Sequence, residues 1–185
     1  APPHALGTCF AYLVENNILN DLVSLCLPDE PLGILDEFLR MCTTLVRHIH
    51  VPWFLANEGV AHALLQLLRS CNKKQQKPPG LVELVYALCA RIHQQPDTLR
   101  VLVQLGAQLP KERPADRFPL MTCIVRHITM DGPSGRHMRT SLVWVMHALL
   151  TLGTNHRAAW PALYFDQATC SDLAKSLNAV SYTHL

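Results

Sequence analysis

The sequence has few side chains that prefer contact with water. Charged residues make up 16% of its 185 residues, well below the roughly 25% that is usual in soluble domains. Apolar types make up 49%, which excludes an intrinsically disordered chain. No apolar run approaches the roughly 18 residues of a membrane-spanning helix, because Asn, Asp, Arg or His interrupts every hydrophobic stretch. The composition therefore predicts a folded chain that does not insert directly into a membrane.

Glycine is scarce, and the motifs that depend on it are missing. The chain has 8 glycines and contains no GxxxxGK[ST], GxGxxG, HExxH or GxSxG, so nucleotide-binding and hydrolase functions lack their usual signatures. Its seven cysteines are widely spaced, without a CxxC pair, which is typical of a reduced, intracellular protein. We expect no cofactor and no enzymatic activity.

Charge is unevenly distributed along the chain. Residues 1–46 contain six acidic residues and one basic residue, whereas residues 47–185 contain 15 basic and 8 acidic residues. Such asymmetry can indicate an acidic partner. The basic residues lack the interleaved aromatic side chains that single-strand binders use. We therefore expect no nucleic-acid groove on this chain.

Apolar residues recur with a period near 3.6, the period of the α-helix. Five stripes follow this template, over residues 34–49, 60–71, 81–92, 120–128 and 138–152. Clusters of Pro, Gly, Asn and Asp separate the stripes and mark helix ends. No stretch alternates between apolar and polar residues with a period of two. The pattern predicts an all-α chain of about eight or nine helices.

A short internal similarity favours a repeat architecture. The segment Thr43–Ile49 (TTLVRHI) resembles Thr122–Ile128 (TCIVRHI), at a separation close to two helix pairs of about 40 residues each. We therefore expect an α-solenoid of stacked antiparallel helix pairs, of the HEAT or armadillo kind, whose helices are apolar where neighbours meet. Residues 1–179 are expected to be a fragment of a larger solenoid domain. Residues 180–185 resemble the start of a translated adapter peptide and are expected to be a non-native tail.

Two Cys-x3-His elements are the best candidates for a metal site. Cys89 with His93, and Cys123 with His127, place both residue types on one helix face, and both types ligate zinc. The alternative is that the cysteines act as small hydrophobic side chains, since both fall on apolar stripes. A zinc or thiol enzyme using these four residues is the competing hypothesis. We favour the alternative and expect no metal.

A basic patch surrounds a turn rich in glycine. The candidate partner-binding residues are Arg126, Arg136, His137 and Arg139, and the candidate structural turn is formed by Asp131, Gly132 and Gly135. Arg136 and Arg139 fall in a first helical turn, where positive charge opposes the helix dipole. Local stability therefore does not explain them, and either a solvated face or a protein contact does. The glycines are expected to serve a tight helix-to-helix corner.

Three blocks of residues resemble a known family, the FHF-complex Hook-interacting proteins (FHIP). The first is Tyr12–Leu19 followed by Pro31-Leu32-Gly33; the second runs from Arg117-Phe118-Pro119-Leu120 through Arg126-His127, Asp131-Gly132 and Gly135 to Arg139-Thr140; the third is Cys170–Ala174 with Leu177. The resemblance spans about residues 8 to 178. The sequence departs from the family pattern at Arg136-His137-Met138 and at Gly59–His62. The chain therefore resembles a divergent member of the family.

The resemblance implies that the protein functions as an adaptor. It implies a non-catalytic scaffold that links Hook and FTS to a Rab GTPase of early endosomes for dynein-dependent vesicle transport. The implied location is the cytoplasm, with recruitment to early endosomes. The alternative is a generic HEAT-type or armadillo-type interaction scaffold with unrelated partners.

Overall fold

All of the regular structure in the described part of the chain is helical. The computed structural model describes residues 8–51, 53–74, 78–108 and 118–155. These ranges contain nine helices and no strand: α1 (Thr8–Glu15), α2 (Ile18–Cys26), α3 (Ile34–His48), α4 (Trp53–Ala56), α5 (Glu58–Lys73), α6 (Gly80–Gln94), α7 (Asp97–Gln108), α8 (Pro119–His127) and α9 (Gly132–Asn155). The predicted all-α class is confirmed. No helix in these ranges is both long and apolar enough to cross a bilayer.

The polar clusters of the sequence begin the helices as predicted. The side chain of Asn57 accepts a hydrogen bond from the backbone of Val60 at 3.1 Å and caps α5. The carboxylate of Asp29 accepts from the backbone N–H of Gly33 and of Leu35, both at 3.0 Å, in the turn that leads into α3. These short polar residues satisfy backbone donors that a helix cannot satisfy internally.

The helices pack in rows. α6 contacts α3 on one side and α9 on the other, and these two are the most extensive packed pairs. In a second row, α5 lies between α2 and α8 in the same way, and α4 contacts α7. Each row takes every third helix of the chain, so the stacking is that of a solenoid-like fold whose unit contains three helices. The predicted solenoid-like stacking of packed helices is confirmed.

The stacking of helices in two rows explains why so much of the sequence is apolar. α5 and α6 each have neighbours on several sides, and side chains such as Leu65, Leu68, Leu84 and Leu88 are fully buried. A single hydrophobic core runs through both rows. The row of α3, α6 and α9 has an outer surface as well as this buried one, and that surface carries the candidate site.

The internal similarity in the sequence does not correspond to equivalent structural positions. The segment Thr43–Ile49 ends α3, in the first row, whereas Thr122–Ile128 ends α8, in the second. Both segments have a buried apolar face and end in a basic pair, which is a common way to end a helix. The similarity therefore reflects the shared chemistry of helix ends, not a repeat.

Candidate functional site

The chain makes a tight corner where the end of α8 leads into the start of α9. A Cβ atom at Gly135 would lie 1.6 Å from the carbonyl oxygen of Met130, so only glycine fits there. Gly132 has a φ of 70°, in the left-handed region that glycine adopts without strain. Asp131 is exposed at the start of this corner. The approach of α9 to the end of α8 depends on Gly135.

Two arginines of the predicted patch, Arg126 and Arg139, each bind a backbone carbonyl at the end of a helix. Arg126 donates a hydrogen bond from Nη1 to the backbone carbonyl of Asn72, in the last turn of α5. Arg139 donates from Nη1 to the carbonyl of Ile128, directly after α8, at 3.0 Å. Carbonyls at a helix C-terminus lack intrahelical donors, and a cation there is favoured by the helix dipole. Their positions have a local structural reason that the sequence did not reveal.

The other two patch residues lie apart from these helix ends. The ring of His137 is bonded through Nδ1 to Oε1 of Glu83 at 3.0 Å. Arg136 is exposed on α9. The four basic residues therefore do not form one uniform surface, and their role in partner binding stays a prediction.

Glu83 joins the three helices of the first row. Its Oε2 accepts a hydrogen bond from Nη2 of Arg47 on α3 at 2.6 Å, while its Oε1 faces His137 on α9. The three side chains are between one third and one half exposed. Solvent screens such pairs, so each contributes only about 0.2 to 1 kcal/mol. We call Arg47, Glu83 and His137 the polar clasp; its main effect is to fix side-chain positions on the row surface.

Rings from α6 and α9 form a continuous contact beside the clasp. Tyr86 stacks on His137 with ring centroids 4.1 Å apart, and lies 5.2 Å from Trp144. Seven residues further along each helix, His93 stacks on Trp144 at 5.5 Å and meets the edge of His147 at 5.6 Å. We call these five residues the ring ladder. A spacing of seven residues returns a side chain to the same helix face, which is why the ladder follows the groove between α6 and α9.

The outer face of α9 carries apolar side chains that the described residues leave exposed. Val143 is 66% exposed and Leu150 is 67% exposed. Arg136, Thr140 and His147 lie on the same face, because successive members are three or four residues apart. We call these five residues the α9 stripe. Its spacing is that of a seam on which a second helix can pack.

The four residues of the zinc hypothesis do not converge. Cys89 and Cys123 are fully buried in the core, whereas His93 is exposed beside Trp144. Nδ1 of His127 lies 2.7 Å from the carbonyl oxygen of Cys123, which identifies this nitrogen as the N–H donor. Across the described ranges, no group of three or more His, Cys, Asp or Glu side chains is arranged to hold a metal ion.

Burial makes the thiols of Cys42 and Cys89 unreactive. Burial raises the pKa of the Cys89 thiol to about 12, although the Ser141 hydroxyl counteracts part of the rise. Burial also raises the pKa of Cys42 to about 12, and the neighbouring thiols of Cys26 and Cys71 add to this shift. Because the thiolate is the nucleophile and the metal ligand, the raised pKa values of Cys42 and Cys89 disfavour both roles for these two thiols.

Sequence reasoning missed the residues that organise the row surface. Glu83, Tyr86 and Trp144 are not among the candidate site residues of the sequence, because no short-range motif sets them apart. The seven-residue spacing of Tyr86 to His93 and of His137 to Trp144 was the available signal. The signal has no meaning until α6 and α9 are known to be neighbours.

Comparison with protein families gives one decisive match. The family described as "RAI16-like: Retinoic acid induced 16-like protein" matches residues 9–179. The chain belongs to the RAI16-like family. Comparison with curated proteins gave no match, and neither did comparison with solved structures.

The match overturns the family assignment made from the sequence. The family model that fits the chain is RAI16-like and does not bear the FHIP name. The block that carried most of the resemblance has a structural explanation, since Gly135 is required by the corner with Met130 and Arg139 binds the carbonyl of Ile128. An Asp-Gly turn followed by Gly and Arg thus reports a helix corner in this RAI16-like chain, and it does not identify a partner.

Proposed function

We propose that this RAI16-like chain is part of a non-catalytic scaffold that binds other proteins through the outer surface of the α3, α6 and α9 row. One observation carries the proposal. Val143 and Leu150 are exposed on one face of α9, seven residues apart, with His147 between them. Exposed apolar side chains at helical spacing, beside aromatic and Arg residues, have the composition of protein interfaces.

The neighbourhood of the α9 stripe supports this role. Trp144 and Tyr86, in the adjacent groove, are half-buried residues of the types that dominate binding energy at interfaces. The polar clasp and the ring ladder hold these rings in place, so that little side-chain freedom is lost on binding. A surface organised in this way suits docking better than catalysis, because the thiols of Cys42 and Cys89 are buried beneath it and their pKa values are raised.

The stripe favours one kind of occupant, an amphipathic helix with acidic flanks. Its members follow the alternating spacing of three and four residues that a partner helix requires. α9 contains no Asp or Glu, and Arg136 extends from it into solvent. Acidic side chains bordering the apolar seam of a partner would therefore meet positive charge and no repulsion.

A capture experiment with matched variants tests the proposal. The full-length protein, the double variant Val143→Asp/Leu150→Asp and the control Leu25→Asp are used to capture proteins from cell lysate, with quantitative mass spectrometry as the readout. Leu25 is 68% exposed on α2, so the control introduces one of the two added carboxylates at an equally exposed apolar position in the other row. The proposal expects one or more captured proteins to be lost with the α9 variant and retained with the control.

The result that contradicts the proposal is an identical set of captured proteins for all three. Circular dichroism and thermal unfolding establish that each variant is folded, since exposed substitutions typically change stability by less than about 0.5 kcal/mol. A loss that occurs equally with Leu25→Asp would also count against the α9 surface.

The partners expected from the sequence enter as named arms of the same experiment. Hook, FTS and an early-endosomal Rab GTPase are probed by immunoblot, and the tagged full-length protein is imaged for cytoplasmic location and recruitment to early endosomes. Their recovery would support the adaptor role in dynein-dependent transport. Recovery of other proteins through the α9 stripe would support the second candidate, an interaction scaffold with unrelated partners.

A further inference from the structure

His93 and His147 bring two imidazole rings together from different helices. Their ring centroids are 5.6 Å apart, and the rings meet edge to face at 66°. Both side chains are exposed, His93 on α6 and His147 on α9. They lie 54 positions apart in the sequence, so no local motif announces the pair.

The separation of the rings fits a shared metal ion. An imidazole nitrogen binds zinc at about 2.0 to 2.1 Å, which places the ion about 3 Å from each ring centre. Two ring centres at 5.6 Å can therefore hold one ion between them. Rotation of the exposed His147 side chain about its χ angles is the movement needed to aim one of its nitrogens at an ion held by His93, whose ring stays stacked on Trp144.

The ring of His93 is already oriented by a neighbour. It stacks on Trp144 with an interplanar angle of 15°. This packing restricts the His93 side chain, so the side chain loses less conformational freedom when it binds a metal ion. No carboxylate from α6 or α9 lies among these rings, because α9 has no acidic residue and Glu83 is engaged in the polar clasp. The donor set is thus two imidazole nitrogens.

We infer that His93 and His147 form a two-imidazole site for a divalent transition-metal ion that bridges α6 and α9. Imidazole ligands suit zinc, copper and nickel, whereas magnesium and calcium prefer oxygen. Water completes the coordination, since no third His, Cys, Asp or Glu of the described residues joins the pair. The inference goes beyond the proposed docking function and does not rest on it.

A bridging ion would join the two helices of the most extensively packed pair. An ion that binds the folded chain and not the unfolded chain raises stability in proportion to the logarithm of its concentration above Kd. Metal binding at this site would therefore stiffen the end of the row that carries the α9 stripe.

Cu²⁺ and Zn²⁺ are the probes for the test. The chain has three tryptophans, so Trp53→Phe and Trp160→Phe are introduced to leave Trp144 as the only emitter. Cu²⁺ titration is followed by Trp144 fluorescence, and Zn²⁺ binding is followed by calorimetry and by the shift in Tm. Each is repeated with His93→Gln, with His147→Gln and with the control His62→Gln, which removes an exposed histidine on α5.

The inference expects saturable quenching of Trp144 and one Zn²⁺ per chain at this site, with a higher Tm in the presence of Zn²⁺. Both site variants should weaken the affinity by at least about tenfold, the low end of the effect of removing even a supporting residue from a metal site. His62→Gln should leave both readouts unchanged. Equal affinity in the site variants and the parent chain, or quenching that never saturates, would overturn the inference.

Discussion

Single residues fix the corner at which α9 meets α8. The carbonyl oxygen of Met130 occupies the space that a side chain at Gly135 would need, and Arg139 binds the carbonyl of Ile128 across the same corner. Gly132 differs, since no atom lies within 4 Å of the position of its missing Cβ. The two glycines are thus needed for different reasons, one for space and the other for backbone conformation.

The first prediction separates these two reasons. Gly135→Ala should lower the free energy of unfolding by about 3 kcal/mol or more, since overpacking against a fixed carbonyl forces the backbone to move. Gly132→Ala should cost about 1 to 2 kcal/mol, the penalty of a left-handed conformation for a residue with a Cβ. Urea unfolding followed by circular dichroism measures both values. An unchanged or higher stability for Gly135→Ala would contradict the corner, because alanine is otherwise the better helix former.

The buried thiols give the second prediction, a loss of stability in alkali. The pKa values of Cys42 and Cys89 are about 12 in the folded chain and 9.0 in an unperturbed thiol. Because the folded value is higher, the fold favours the neutral thiol; this stabilisation is complete below pH 9 and is lost as the pH rises towards 12. In this pH range, each thiol lowers the free energy of unfolding by up to about 1.4 kcal/mol per pH unit.

Urea unfolding at pH 8, 9 and 10 tests this, with Cys42→Ala/Cys89→Ala as the reference. Tyr and Lys residues also titrate in this range, so the informative quantity is the difference in slope between the two proteins. The parent chain should lose stability more steeply above pH 9. Equal slopes would mean that the thiols ionise freely in the folded state.

At the scale of the helix, α6 organises the fold. It packs between α3 and α9, and its apolar side chains contact both neighbours through the common core. Its polar edge carries Glu83, Tyr86 and His93, which shape the row surface. One helix therefore connects the stability of the core to the geometry of the candidate site.

The third prediction compares a core position with a surface position. Leu88 on α6 is 0% exposed, so Leu88→Ala should cost about 2 to 5 kcal/mol through lost burial and a residual cavity. Leu150→Ala on the α9 stripe should cost less than about 0.5 kcal/mol, because that side chain is mostly in water. Denaturant midpoints of the two variants provide the comparison. Similar losses would show that the α9 face is covered in the protein.

The polar clasp supplies the fourth prediction. Since Arg47, Glu83 and His137 are partly exposed, the double-mutant cycle of Arg47→Gln and Glu83→Gln should give a coupling energy below about 1 kcal/mol, and added salt should reduce it. Thermal or urea unfolding of the four proteins gives the cycle. A coupling of several kcal/mol, insensitive to salt, would require a far less solvated pair.

At the scale of the whole molecule, much of the fold could be predicted, because helix periodicity is a local signal. The stripes over 34–49 and 81–92 became α3 and α6, and the Pro and Gly clusters became helix ends. The rows could not be predicted, since they depend on which helices become neighbours. The similarity of Thr43–Ile49 to Thr122–Ile128 suggested equivalent units, yet the two segments lie in different rows.

The candidate site was only partly accessible from sequence for the same reason. The patch of Arg126, Arg136, His137 and Arg139 was found from charge and spacing, but its members have different surroundings in the fold. The ring ladder and the α9 stripe depend on long-range packing and on which face of α9 the other helices leave open. The predicted tail at 180–185 lies outside the described residues and stays a prediction, as does the assignment of 1–179 to a larger domain.

The proposed docking surface is the outer face of α9, on a rigid helical row. Hydrogen–deuterium exchange of the full-length protein, measured with and without a bound partner, locates the docking surface. The partner is a protein that the parent chain captures and that is lost with Val143→Asp/Leu150→Asp. If no protein is lost, the most abundant captured protein is used. Binding at this surface should slow exchange in peptides that cover residues 136–150. Unchanged exchange in α9, with new protection in α1 and α2 instead, would contradict it.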